Sequence, residues 1–204
     1  MKLLCLFLMS AALLPADQAA FSHSVHLKLN LECKSCHAAA LTSTKADDNL
    51  LPPRPICQAC HKTADVRPPQ PTLVAKFSHA QHLKMGNVAP LIAAAIDHGN
   101  YLQPVDGIRA QLDTKNPCAA CHRGIEDSTQ ISPANIPQMA DCLVCHAQID
   151  PPFSCETCHV HPEQLKPASH VPHFIDLHSS GKVKFDKTTC AVCHGRTFTC
   201  MGCH

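Results

Sequence analysis

Fourteen of the chain's fifteen cysteines stand in seven pairs, and each pair is spaced by two residues and followed at once by histidine. The copies are CKSCH from Cys33, CQACH from Cys57, CAACH from Cys118, CLVCH from Cys142, CETCH from Cys155, CAVCH from Cys190 and CMGCH from Cys200. C-x-x-C-H is the attachment signature of c-type haem. Two thiols add to the two vinyl groups of the porphyrin, the spacer sets the reach between them, and the next histidine can bind iron from one face. With 16 histidines among 204 residues, seven such successes by chance have odds on the order of one in 10⁷ to 10⁸.

The pattern therefore predicts seven covalent haems. Their attachment residues are Cys33 and Cys36, Cys57 and Cys60, Cys118 and Cys121, Cys142 and Cys145, Cys155 and Cys158, Cys190 and Cys193, and Cys200 and Cys203. The proximal iron ligands are His37, His61, His122, His146, His159, His194 and His204. Cys33/Cys36 and Cys57/Cys60 also read C-x2-C-x20-C-x2-C, near a structural zinc spacing, but zinc does not require a histidine after every pair. A disulfide scaffold leaves the histidines without a role as well. A thioredoxin-like redox site needs one C-x-x-C beside a βαβ pattern, which the sequence lacks.

Nine histidines lie outside the motifs: His23, His26, His79, His82, His98, His161, His170, His173 and His178. Seven irons held on both faces need seven more ligands, so about seven of the nine are expected to be consumed by iron. Met85 and Met139 are the only competing thioethers outside a motif in the exported chain. Bis-histidine ligation is the expected state, and it argues for lower potentials than His/Met ligation. FSHSVH at Phe21–His26 recurs as FSHAQH at Phe77–His82. Histidines three apart on a helical turn project to one side, so one such pair can serve two neighbouring irons.

A duplication lies beneath these motifs. Cys33 and Cys57 map onto Cys118 and Cys142 with one shift of 85, whereas the FSHxxH stretches are shifted by 56, leaving a 29-residue insertion in the second copy. The insertion contains APLIAAAIDHG, expected as a helix from about Pro90 to His98 capped by Gly99. Three modules are expected: residues 21–68 with two haems, 72–162 with three and 163–204 with two, with PPQP at Pro68–Pro71 as the first linker. Between motifs, Pro, Asp, Asn, Ser and Thr predominate and strand periodicity is weak. The expected fold is mostly irregular with short α-helices, a haem-packed core and little or no β-sheet.

FSHSVH followed by CKSCH, and FSHAQH followed by CAACH, CLVCH and CETCH, resemble the class III multihaem cytochromes c, including their trihaem members. The resemblance implies that the first histidine of each pair serves the nearest following haem and the second a later one. His23 would then serve Cys33/Cys36, His26 would serve Cys57/Cys60, His79 would serve Cys118/Cys121 and His82 would serve Cys142/Cys145. Two departures stand out: Ala38 follows His37 where tetrahaem members often carry another histidine, and the insertion after His82 has no obvious counterpart. For the other haems, His98 is assigned to Cys155/Cys158, and His173 with His178 to the last two, leaving His161 and His170 as spare or exchangeable.

Residues 1–20 have the layout of a secretory signal peptide: Lys2, a twelve-residue apolar run from Leu3 to Leu14 that contains Cys5, then small residues around Ala19 and Ala20. An uncleaved anchor is the alternative, but a membrane-crossing helix takes roughly 20 residues. Export makes the periplasm or the extracellular space the expected location. No tryptophan, one tyrosine, seven phenylalanines and seventeen prolines leave a thin core, which porphyrins would fill. The net charge of +1, with no basic stripe, excludes nucleic-acid binding. Seven ferric haems with their propionates add roughly −7, making the loaded protein acidic.

The function expected from these features is electron carriage through closely spaced bis-histidine haems in a respiratory or extracellular chain, with donor and acceptor proteins as partners. Two alternatives carry their own requirements. A multihaem reductase needs an open sixth position, which the histidine supply does not leave. A filament or respiratory-complex subunit needs self-association or docking. With His204 as the last residue, the seventh site is expected to be an exposed point of electron entry or exit.

Overall fold

The computed structural model describes residues 21–63, 74, 76–146, 155–167, 169–181 and 187–195. The signal-like segment, the PPQP stretch and the seventh motif (Cys200, Cys203, His204) lie outside the described residues.

The described chain forms nine short helices: α1 (His23–Leu27), α2 (Cys33–Cys36), α3 (Arg54–Gln58), α4 (His79–Lys84), α5 (Ala89–Asp97), α6 (Ile108–Gln111), α7 (Met139–Leu143), α8 (Phe174–Ser179) and α9 (Lys187–His194). Single 3₁₀ turns lie at Ala38–Leu41, Pro133–Asn135, Cys155–Thr157 and Pro162–Leu165. Among the described residues there is no strand, only an isolated antiparallel bridge between Val74 and His159. The fold is thus mostly irregular with short helices, as the proline-rich spacing between motifs predicts. Helices of four to nine residues are too short to persist alone in water, so each must be held by what it packs against.

The insertion in the second repeat supplies the longest helix. α5 starts with Pro90 in its first turn and ends at Asp97, where His98 takes the C-cap position and Gly99 adopts φ +70°. The Gly99 N–H donates to the Ile96 carbonyl at 2.9 Å, closing the helix by the left-handed turn that favours glycine. Ala89, Ile92 and Ala93 on its inner face pack with Tyr101, Leu112, Ala120 and Ala140. This is the apolar core of the described residues, and it is small.

A buried polar group braces it. Asp141, next to the attachment residue Cys142, accepts from Arg123 Nη1 at 2.6 Å and from the Tyr101 hydroxyl at 2.7 Å. Its second oxygen accepts from the Gln138 N–H at 2.7 Å, capping α7. Arg123 and Asp141 are each only 3% exposed in their side chains, so each charge depends on the other for compensation. Burial alone would lower the Arg123 pKa, but the hydrogen bond and charge of Asp141 outweigh it and leave it raised. Because Arg123 directly follows His122, the pair ties the third motif to the fourth.

The first repeat has no such interior. Among its described residues, 21–63, no hydrophobic side chain is buried, and Phe21, Val25, Leu29, Leu41 and Ile56 are each at least 43% exposed. At the positions equivalent to Arg123 and Asp141, shifted by 85, the first repeat carries Ala38 and Ile56.

Candidate haem-binding sites

Each described C-x-x-C-H segment folds as one tight turn. The histidine N–H returns to the carbonyl of the first cysteine at 2.8 Å for His37 to Cys33, 2.9 Å for His61 to Cys57 and 2.8 Å for His122 to Cys118. The same bond measures 2.9 Å for both His146 to Cys142 and His159 to Cys155. In the sixth copy, Cys190, Cys193 and His194 lie on α9. One helical turn sets residues three and four apart on a common side, so both thiols and the imidazole can approach one planar ligand together. This is why two spacer residues are needed.

The FSHxxH stretches are built identically. Ser22 caps α1 by accepting from the Val25 N–H at 3.3 Å, and Ser78 caps α4 by accepting from Gln81 at 3.2 Å. Phe21 stacks on His26, centroids 4.4 Å apart, and meets His23 edge-on at 4.9 Å. Phe77 does the same to His82 at 4.4 Å and His79 at 4.7 Å. The phenylalanine therefore sets the orientation of both rings. Sequence reading recognised the stretch but gave Phe21, Phe77 and the two serines no task; the recurrence of F-S before both histidine pairs was the available signal.

Four histidines have their tautomer set by the backbone. His26 Nδ1 lies 2.8 Å from the Ser22 carbonyl, His82 Nδ1 2.8 Å from Ser78, His37 Nδ1 2.8 Å from Leu50 and His122 Nδ1 3.0 Å from Asn135. A carbonyl only accepts, so Nδ1 carries the proton and Nε2 presents its lone pair, the arrangement typical of metal-bound histidine. His23 and His79 instead have a buried Nδ1 with no hydrogen-bond partner. Burial, followed by the neighbouring His37, lowers the His23 pKa. Burial and His122 do the same for His79, and burial lowers His122 against the opposing Asn135 hydrogen bond. All three are thereby favoured as neutral imidazoles, the form that binds iron.

Histidines distant in sequence face one another across gaps. His23 lies opposite His37 with ring centres 6.3 Å apart, His26 opposite His61 at 6.0 Å, His82 opposite His146 at 6.3 Å and His170 opposite His194 at 6.1 Å. Two imidazoles bonded to one metal ion through nitrogens at about 2.0–2.1 Å have ring centres about 6.3 Å apart. The gaps fit a shared iron, and they are too wide for direct ring contact. Exposed Phe21, in ring contact with both His23 and His26, offers apolar surface suited to a porphyrin face. No group of three or more metal-ligating side chains converges among the described residues. The eight cysteines of the first four motifs carry no disulfide.

The remaining histidines are arranged differently from the assignment made on sequence. His170, not His173, faces His194. His173 is 82% exposed in its side chain and lies 3.7 Å from Asp176. Phe174 sits between His170 at 5.1 Å and His178 at 5.8 Å, taking the aromatic role of Phe21 and Phe77. His98 is exposed at the C-cap of α5. His161 is exposed and pairs with Glu163 at 3.2 Å. Spacing cannot distinguish His170 from His173, which lie three residues apart on an irregular segment.

The attachment thiols form neighbouring sets. Asn116 Nδ2 reaches the Cys33 sulfur at 3.4 Å, while its Oδ1 accepts from the Cys118 N–H at 3.0 Å. Burial and then Cys33 push the Cys118 thiol up; burial and then Cys57 act likewise on Cys36. Burial and then Asp141 push Cys121 up to about 11. Burial, then Asp141 and then Cys158 push Cys142 up, and burial and then Cys155 do so for Cys193.

Residues 19–72 match the family model described as cytochrome c7 and related cytochrome c. The match covers the first histidine pair and the first two C-x-x-C-H motifs, and it supports a multihaem c-type cytochrome that transfers electrons. No curated protein and no solved structure matches the chain. Among the described residues, no helix is long and apolar enough to cross a membrane.

Proposed function

We propose that the chain is an exported heptahaem c-type cytochrome that carries electrons between protein partners. The observation that carries this reading is the set of four histidine pairs held 6.0–6.3 Å apart, each joining a motif histidine to one outside the motifs. Haem bound at each motif would supply reversible one-electron transfer between ferrous and ferric iron. The chain's own residues do the rest. Paired cysteines hold the group covalently, and Nδ1–H bonds from His26, His82, His37 and His122 to carbonyls keep Nε2 directed at the metal. Phe21 and Phe77 fix the ring planes.

In this reading His23, His26, His79 and His82 bind the irons of the first four motifs and His170 binds that of Cys190/Cys193. The Cys155/Cys158 and Cys200/Cys203 sites draw their second ligands from His98, His161, His173 and His178. Histidine on both faces leaves no open position for substrate, which sets a carrier apart from a reductase. The acidic holoprotein would meet donor and acceptor through basic patches on those partners. The three modules, two haems in 21–68, three in 72–162 and two in 163–204, belong to the same proposal.

Optical and electron paramagnetic resonance spectra of the oxidised holoprotein test it. They should show low-spin, six-coordinate iron throughout, with no change on adding nitrite. His170→Ala should convert one haem of the seven to high spin, while His173→Ala should leave the Cys190/Cys193 haem low spin. A nitrite-binding high-spin fraction in the unaltered protein would instead assign it reductase chemistry.

A further inference from the structure

The two repeats exchange the same contacts. The Ser24 N–H at the start of α1 donates to the Ser128 carbonyl at 3.0 Å, and Ala80 at the start of α4 donates to the Ser43 carbonyl at 3.0 Å. Ser22 Oγ reaches Ser128 O at 3.4 Å, and Ser78 Oγ reaches Ser43 O at 3.2 Å. Residues 22 and 24 become 78 and 80 under the helix shift of 56, and 43 becomes 128 under the motif shift of 85. Each histidine-pair helix is therefore docked on the loop behind the other repeat's first motif. A contact made reciprocally, i to j and j to i, is the signature of a twofold arrangement. Two equivalent residues that meet each other must lie at such an axis. Cys33 and Cys118 are equivalent under the shift of 85, and Asn116 bridges them through its bonds to the Cys33 sulfur and the Cys118 N–H.

We propose that the repeats clasp each other about a pseudo-twofold axis between Cys33 and Cys118, so the first four haem sites are ordered in space second, first, third, fourth. The first and second sites share α1, through His23 and His26. The third and fourth share α4, through His79 and His82. Of the haem sites, it is the inner pair that meets across the two halves, where Asn116 is the positioning residue. An electron crossing from one repeat to the other passes between the Cys33/Cys36 and Cys118/Cys121 sites, the second site being an end of the row and not a step towards the third. What one site loses the next gains, with no proton or co-reactant required. The order rests on the haem-carrier reading and goes beyond it, since that reading is indifferent to which sites are neighbours.

Proton NMR of the reduced holoprotein should show cross-peaks between substituents of the first and third haems and none between the second and third. Cross-peaks between the second and third, without any between the first and third, would overturn the order. The variant His26→Met supplies an independent measurement. Methionine ligation should raise the midpoint potential of the Cys57/Cys60 haem, and the largest secondary shift should fall on the Cys33/Cys36 haem. A comparable shift at Cys118/Cys121 would contradict the arrangement. Low-spin spectra combined with the wrong neighbours would remove the order alone; high-spin iron throughout would remove the carrier reading with it.

Discussion

Asp141→Ala is expected to destabilise the holoprotein by about 3–5 kcal/mol, the usual cost of stranding one member of a buried ion pair. Arg123 would keep its charge at a position where its side chain is 3% exposed, and the Tyr101 hydroxyl and Gln138 N–H would lose their acceptor as well. The loss should be uneven along the chain. The third and fourth haem sites are tied together by Arg123 and Asp141, whereas the first repeat carries Ala38 and Ile56 at these positions. Denaturant unfolding followed at wavelengths sensitive to iron ligation should therefore show the third and fourth sites released before the first and second. Tyr101→Phe removes the hydroxyl's bond to Asp141 while leaving the ion pair in place, and should cost only about 0.5–1.5 kcal/mol. A change below about 1 kcal/mol for Asp141→Ala would mean that solvent or another anion compensates Arg123.

The second large effect concerns the chain without haem. Apart from Ala191, every buried hydrophobic residue described lies between Ala89 and Leu143, and among the described residues Tyr101 is the only large side chain that is essentially fully enclosed. Four of the seven residues in the core cluster are alanines, which bury little area each. The ordering entropy of a chain this long is of order 1–2 kcal/mol per residue, and so small an interior cannot offset it. Chain produced without cytochrome c maturation should therefore show no cooperative thermal transition, and amide exchange over residues 21–63 should be unprotected. A sharp two-state melt of the haem-free chain would show that the polypeptide alone supplies the missing stabilisation.

What the sequence discloses is what is local. A C-x-x-C-H turn spans five residues, an FSHxxH helix begins at its own serine cap, and α5 runs Ala89–Asp97 where Pro90 and Gly99 bracket it in the sequence. The short-helix, sheet-poor fold follows from the same punctuation. Features that depend on distant residues were not legible. The buried bond from Tyr101 to Asp141 joins positions 40 apart, and that from Arg123 joins positions 18 apart. Neither has a periodic signature. His170 and His173 are equivalent to any spacing argument, and only the path of the backbone into α8 turns His170 towards His194. The reciprocal docking of the repeats lies between these extremes: the duplication is plain from the shift of 85, but a duplicated sequence is equally compatible with repeats laid end to end. The exchanged bonds at Ser43 and Ser128 distinguish the two.

The phenylalanines sharpen the reading of the histidines. A histidine pair on a helix can face any direction, but Phe21 and Phe77 each stack on one ring and meet the other edge-on, with nearly the same distances in both repeats. Repetition of side-chain geometry, and not of sequence alone, makes α1 and α4 the same device used twice. Phe174 likewise lies between two histidines, stacked on both His170 and His178.

The most direct test of the central claim is the intact mass of the exported holoprotein under denaturing conditions. The account predicts the processed chain plus seven haems, retained because each is joined through two thioether bonds, with no free thiol detectable by alkylation. A mass equal to the polypeptide alone, or thiols that alkylate after reduction of disulfides, would contradict it.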